Sequence, residues 1–204
     1  MFIVSGPSGA GKGTLVKAVA DRVPDIWVSV SATTREPRPG EVDGQQYLFL
    51  SSAEFDRLIA EGGLLEWAEV HGNRYGTPSE CVEKALAEGK AVVLEIDPQG
   101  AMQVKDRVPE SVLVFISAPS FDELRRRIEG RGAETAEEVE RRLRTAEVEM
   151  LFAGTYDFVV INDDVRRAAD ELESIIKRVT ARDCGQDSEC DEGHDSRDPE
   201  EVKD

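Results

Sequence analysis

Gly6-Pro7-Ser8-Gly9-Ala10-Gly11-Lys12-Gly13-Thr14 is the first stretch whose residue types and spacing can do chemistry. It follows the apolar run Phe2-Ile3-Val4 and opens a segment where Leu15, Val19 and Val23 recur at helical spacing. Strand, glycine loop, lysine and helix in that order make a phosphate cradle. The glycines let backbone N–H groups turn inward, the helix start adds its positive dipole end, and Lys12 reaches the outer phosphates. Gly13 stands where a serine or threonine usually ligates Mg2+, so Thr14 is the candidate hydroxyl for phosphate or a metal-bound water. A second group lies between Ser31 and Tyr47, where prolines stiffen a loop bearing Arg35 and Arg38. Guanidinium forks suit phosphate, although two arginines in a polar loop are equally compatible with solvated surface. A third is Val92-Val93-Leu94-Glu95-Ile96-Asp97, an apolar strand ending in an acid. Asp97 is thereby placed at the carboxyl edge of a parallel sheet, beside bound phosphate, to hold Mg2+ water or orient the arginines. It also suits capping of the helix that starts at Pro98.

The elements that must position these groups alternate as strand and helix. Strand-like runs at Phe2–Ser5, Trp27–Val30, Ala91–Ile96, Val112–Ser117 and Phe158–Ile161, separated by helical patterns, predict an α/β fold with a parallel sheet of about five strands. Residues 31–89 break that rhythm and read as an inserted α+β subdomain: a short strand at Tyr47–Leu50, a helix opened by Ser51-x-x-Glu54, another starting around Thr77-Pro78 and ending at Gly89. Ser120-x-x-Glu123 and Thr135-x-x-Glu138 open two charged helices joined by Gly130-Arg131-Gly132, a hinge-rich arrangement suited to a lid at 121–150. Residues 1–30, 90–120 and 151–182 make the core, its last helix running from about Asp164 to Ala181. From 183 to 204 there is almost nothing to bury, and that stretch reads as an acidic disordered tail.

Composition excludes several classes of partner. Net charge is −17, with ten acidic residues against Arg197 and Lys203 in the tail, so nucleic acid is not an expected partner. The longest apolar run, Val112 to Ala118, is too short to span a membrane, and no basic-flanked export signal opens the chain. Cys81, Cys184 and Cys190 are odd in number and suit a reducing cytoplasm. Cys184-x5-Cys190-x3-His194 has neither helix nor knuckle spacing, so accidental composition is favoured over a metal site.

From Phe2 to about Val179 the chain closely resembles the guanylate kinases, a P-loop nucleoside monophosphate kinase family. The likeness rests on Gly-Pro-Ser-Gly-Ala-Gly-Lys, Ser-Ala-Thr-Thr-Arg-Glu-Pro-Arg-Pro-Gly-Glu, Leu-Glu-Trp-Ala-Glu-Val-His-Gly-Asn-Arg-Tyr-Gly-Thr, Glu-Ile-Asp-Pro-Gln-Gly and Arg-Ile-Glu-Gly-Arg-Gly, in that order. It implies a GMP-binding subdomain at 31–89 and a lid at 121–150. By the same likeness Arg35, Arg38, Tyr47 and Tyr75 hold the GMP phosphate, Ser31, Glu66 and Thr77 read the base with Gly76 beside them, and Asp97 adjoins them. Arg131 and Arg142, supported by Arg127, reach the transferred phosphoryl when the lid closes, and Asn162 lies at the adenine pocket. Read without the likeness, Thr77 suits a helix N-cap, Glu66 a surface charge, Tyr75 the core, Asn162 a local turn cap, and the lid arginines solvated helix faces.

The implied reaction takes ATP and GMP to ADP and GDP with Mg2+, in a monomer or homodimer. A GMP phosphate oxygen is already anionic at neutral pH, so neither His71 nor His194 is needed as a base, and alignment with charge neutralisation supplies the catalysis. Two other readings compete. A non-catalytic guanylate-kinase-like module binding phosphopeptide or GMP is opposed by the complete glycine frame, Lys12 and the lid arginines. A related kinase of a ribose bisphosphate would leave Ser31, Glu66 and Thr77 with no purine to read.

Overall fold

A computed structural model describes residues 1–70, 72–130 and 135–186. Arg131, His71 and residues 187–204, with Cys190 and His194, lie outside them. In chain order the elements are β1 (Phe2–Ser5), α1 (Lys12–Ala20), β2 (Ile26–Val28), β3 (Ala32–Thr33), β4 (Leu48–Phe49), α2 (Ser52–Ala60), β5 (Leu64–Val70), β6 (Asn73–Pro78), α3 (Ser79–Ala87), β7 (Ala91–Glu95), α4 (Pro98–Arg107), β8 (Val112–Ser117), α5 (Phe121–Glu129), α6 (Ala136–Met150), a 3-10 turn (Leu151–Thr155), β9 (Phe158–Ile161) and α7 (Val165–Gln186).

Five parallel strands form one sheet in the order β2-β7-β1-β8-β9. Both faces are buried, which is why its central strands read as unbroken apolar runs. Phe2, Val4, Val93, Val114 and Val160 pack against α1 and α7, while Ile3, Val92, Leu94, Leu113 and Phe115 face α3 and α4. Register pairs Val4 with Glu95, setting the end of β7 beside the start of the glycine loop.

Residues of the insertion form a second sheet in the order β4-β3-β6-β5, over a small core of Ala32, Phe55 and Leu64. The α2 helix is opened by the expected reciprocal cap between Ser51 and Glu54. The β5–β6 hairpin has no counterpart in the sequence reading. In β5 the inward positions are Leu64, Glu66 and Ala68 and an outward one is Trp67, so a carboxylate sits where alternation calls for an apolar residue.

Ser120 caps α5, and Thr135 with Glu138 makes a reciprocal cap on α6. Leu124, Ile128, Leu143 and Ala146 give these two helices a core of their own. The last helix is longer than its apolar periodicity predicts and reaches Gln186, into the stretch read as tail. Packing along α1 anchors the helix, and its backbone hydrogen bonding propagates from there into that stretch.

Candidate active site

The glycine loop hangs between the end of β1 and the start of α1. Gly6 has φ +140°, and a Cβ there would run into the Ile116 carbonyl of β8, so only glycine lets the chain turn so close to its neighbour. Ala10 N donates to the Pro7 carbonyl at 3.1 Å, and Gly11 caps α1 in a left-handed conformation. The first turn of α1 holds no acidic residue, which keeps its amide end positive. Lys12 Nζ curls back to the Gly6 and Pro7 carbonyls at 2.6 and 3.2 Å. Gly13 and Thr14 are exposed on the first turn.

Asn162, just after β9, is buried, and its Nδ2 donates to the Ala10 carbonyl at 2.7 Å. It braces the glycine loop across the sheet instead of capping its own turn, where Asp164 accepts from Arg167 N at 2.9 Å. Arg127 ties α5 to the same point: Nη2 donates to the Asn162 carbonyl at 2.9 Å and Nε to Glu123 at 2.8 Å.

Helix α6 rests on Ser8. Arg142 Nη2 donates to Ser8 Oγ at 2.7 Å, and Ser8 N donates to Glu149 Oε2 at 3.2 Å. Arg142 and Glu149 are two helical turns apart and share a face. Burial pushes the Glu149 carboxyl up, against the pull of Lys12 and of the Ser8 amide. Arg125, Arg126 and Arg144 make ion pairs with Glu129, Glu123 and Glu140 on their own helices, as solvated faces should.

Opposite the glycine loop lies a cleft of about 250 Å³ lined by Lys12, Ser31, Tyr47, Glu66, Val70, Tyr75, Gly76, Glu95, Ile96 and Asp97. Seven of the residues picked out from the sequence thus share one cavity, contributed by α1, β5, β6, the end of β7 and the loops around them. Glu66 is 4% exposed, and Thr77 Oγ1 donates to its Oε1 at 2.7 Å. That hydroxyl is spent on Glu66 and not on a helix cap, since α3 starts after Pro78 with no side-chain cap. A Cβ on Gly100 of α4 would lie 2.7 Å from Glu66 Oε2, so a glycine makes room for the carboxylate. Burial pushes Glu66 up to about 7; the Thr77 bond and Arg107 oppose the shift and the Asp97 charge adds to it.

Tyr47 and Tyr75 meet edge to face with ring centroids 5.9 Å apart, so Tyr75 lines the cleft and is not a core residue. The Arg35 guanidinium lies 5.4 Å from the Tyr47 ring centre and 5.6 Å from that of Phe49. Arg38 is exposed on the same loop. Asp97 caps α4, accepting from Gln99 N and Gly100 N at 2.8 and 2.9 Å, and also faces the cleft.

Glu95 was not singled out from the sequence. Its carboxylate oxygens lie 3.2–3.3 Å from where a Cβ on Gly13 would be, at the position where a P-loop hydroxyl usually stands. Burial pushes its carboxyl up while Lys12 pulls it down. The available signal was an acid inside an apolar parallel strand, two residues from Asp97 and therefore on the same face. For Glu149 there was no such signal, because one glutamate among many on a charged helix looks like its neighbours.

Glu95 and Asp97 both line the cleft and could serve a cation. Among the described residues no group of three acidic, histidine or cysteine side chains could cage a metal ion. A pair of acids beside a phosphate cradle fits Mg2+, which keeps several waters and leans on substrate phosphates.

A family model described as guanylate kinase matches residues 1–179. The guanylate kinase of Rubrobacter xylanophilus is 52% identical over 181 residues, which is 89% of this chain and 95% of that protein. That of Thermobifida fusca is 53% identical over 176 residues, 86% of this chain and 90% of the relative. Among solved structures, guanylate kinase from Anaplasma phagocytophilum superimposes with a TM-score of 0.74 at 34% identity, covering 90% of this chain and 87% of the other.

Proposed function

The chain belongs to the guanylate kinase family, and we propose how its own residues carry out the family reaction, transfer of a phosphoryl group from ATP to GMP. The triphosphate lies along residues 6–14, its oxygens taking the loop amides. Ser8 N exchanges Glu149 for a phosphate oxygen, and Lys12 Nζ swings from the Gly6 and Pro7 carbonyls to the outer phosphates. Asn162 keeps Ala10 in place throughout and sits on the adenine side of the loop.

Guanine enters the cleft with its N1–H and 2-amino group donating to the Glu66 carboxylate, which the Thr77 hydroxyl orients, while Ser31 donates to its O6 edge beside Gly76. Adenine offers a bare N1 acceptor at that edge, so a buried carboxylate would face another acceptor. Such unpaired polar groups discriminate by about 10⁴-fold. Arg35, Arg38, Tyr47 and Tyr75 hold the acceptor phosphate, and burial keeps the Tyr47 hydroxyl protonated as a donor. The attacking oxygen is already anionic and needs no base. Lys12, Arg35, Arg38 and Arg142, with Arg131 as a further lid cation, neutralise the charge shared by the two nucleotides. Glu95 and Asp97, with Thr14 on the first turn of α1, would hold a hydrated Mg2+, which would neutralise phosphate charge when bound.

The observation that carries this reading is a buried carboxylate, held by a buried hydroxyl, in the same cleft as the P-loop lysine. The proposal sets the enzyme in the cytoplasm, where an exposed free thiol such as Cys81 persists, as a monomer or homodimer, which sedimentation tests. A coupled ADP-release assay with ATP and Mg2+, offering GMP, AMP, CMP and UMP in turn, is the direct test. Turnover with GMP and not AMP is expected; equal rates with both, or none with GMP, would overturn it.

A further inference from the structure

The loop that meets the acceptor phosphate contains a carboxylate with no part in the reaction above. Glu41 Oε1 accepts from Arg35 Nη2 at 2.9 Å, and its Oε2 accepts from Arg38 N at 2.7 Å. Its own backbone N donates to the Arg38 carbonyl at 3.0 Å, closing a turn whose geometry needs Gly40 at φ +87°. One residue thus ties both phosphate-binding arginines together, one by its side chain and one by its backbone. Arg35 is fixed on its other sides as well. Its Nη1 donates to the Glu36 carbonyl at 2.6 Å, the Tyr47 and Phe49 rings lie against it, and its side chain is only 13% exposed.

We propose that Glu41 is a positioning residue for the acceptor phosphate: its carboxylate presets Arg35, and the turn carrying Arg38, so that both guanidinium groups meet the phosphate already oriented. This rests on the reading of the cleft as the GMP site. An arginine side chain loses much rotamer freedom when it binds, and fixing it beforehand moves that cost out of the binding step. Charge-assisted bonds are the strong ones, and Glu41 remains ionised because the Arg38 amide and the Arg35 guanidinium hold its carboxyl below the usual range despite partial desolvation.

A carboxylate beside an arginine can also act in the opposite sense, as an internal competitor for phosphate. The geometry favours support. One of the two oxygens is bonded to a backbone N–H, and the partner guanidinium is six residues away in the same loop. Neither bond has to break for the guanidinium's other N–H groups to donate outward.

The test compares GMP with guanosine, which lacks the phosphate, by calorimetric titration into wild type, Glu41→Ala and Glu41→Gln, with melting recorded for each. In Glu41→Ala, GMP should bind about 10-fold or more weakly, the scale of losing charge-assisted hydrogen bonds, while guanosine binding and the KM for ATP stay at wild-type values. Glu41→Gln, which still accepts from Arg38 N but has no charge beside Arg35, should fall between. Tighter GMP binding in either variant would identify a competitor and overturn the proposal. So would unchanged GMP binding, or equal losses for GMP and guanosine, which would mean that the whole subdomain had loosened. If wild-type protein bound guanosine and GMP no better than AMP, the acceptor site itself would be misassigned, a result separable from any effect of Glu41.

Discussion

On the proposed reading the donor loop at residues 6–12 and the acceptor loop at residues 31–47 both hold phosphate, the first with backbone amides and the second with arginine side chains. Amides are held by the strand and helix that pin the loop, by glycines at the turning points and by the Asn162 bond to Ala10. Arginines are long and flexible, and the acceptor loop surrounds Arg35 with Glu41, Glu36, Tyr47 and Phe49 to hold it. Each loop also meets a carboxylate. Glu149 approaches the donor amide from 141 residues away, on a separate helix, whereas Glu41 sits inside the acceptor loop itself. A phosphate must therefore displace the first and can rely on the second.

The largest effect that would sharpen this contrast is expected on the lid. Arg142→Ala should lower turnover about 10³-fold, the range found for arginines that meet a transferring phosphoryl group, with GMP affinity retained. Unchanged turnover in the coupled assay would remove Arg142 from the chemistry and leave its bond to Ser8 as packing.

Next comes the acceptor base. Glu66→Gln should reduce kcat/KM for GMP about 10²-fold, because an amide cannot accept from both guanine donors, while the KM for ATP hardly changes. A parallel loss at both substrates would show that Glu66 supports the fold and not the base.

The pH dependence of that same group is smaller. The folded pKa of Glu66 stands above its unfolded value, so its contribution to stability is full at acid pH and fades as pH rises through about 7. Guanine binding runs the other way, since only the ionised carboxylate accepts both ring donors. Affinity for guanosine, which has no phosphate to titrate, should be greatest near pH 8 and fall about tenfold by pH 6. The groups facing Glu66 are Thr77, Asp97 and Arg107. A flat profile would mean that Glu66 is ionised throughout.

The smallest shift tests the displaceable carboxylate. Glu149→Gln should lower the KM for ATP about threefold, because a neutral amide competes less well for the Ser8 amide. A raised KM would show instead that Glu149 helps to seat the nucleotide.

Much of the scaffold was legible because its signals are local. Capping residues at Ser51, Ser120 and Thr135, the apolar runs of the five-stranded sheet and the glycine loop each announce themselves within a few residues. The β5–β6 hairpin was not, since Glu66 and Trp67 invert the alternation that marks a half-buried strand. The site was legible to the same degree. Asn162 could be picked out, yet its task of holding Ala10, 152 residues away, could not. Glu95 was passed over because Asp97, at the strand's end, is the more familiar position for an acid.

By itself the sequence determined the loop that takes a phosphate, the order of strands and helices, and the set of residues available to meet a second nucleotide. Backbone conformation follows from nearby residues, and glycine, proline and capping side chains act over a few positions. The state of those residues was decided only by the tertiary structure. Glu66 titrates near 7 because α4 covers it, Ser8 meets both Arg142 and Glu149 because α6 folds over the loop, and Glu95 stands beside Lys12 because β1 and β7 pair. Burial and charge depend on what lies close in space, and neighbours far apart in the chain leave no local mark on it.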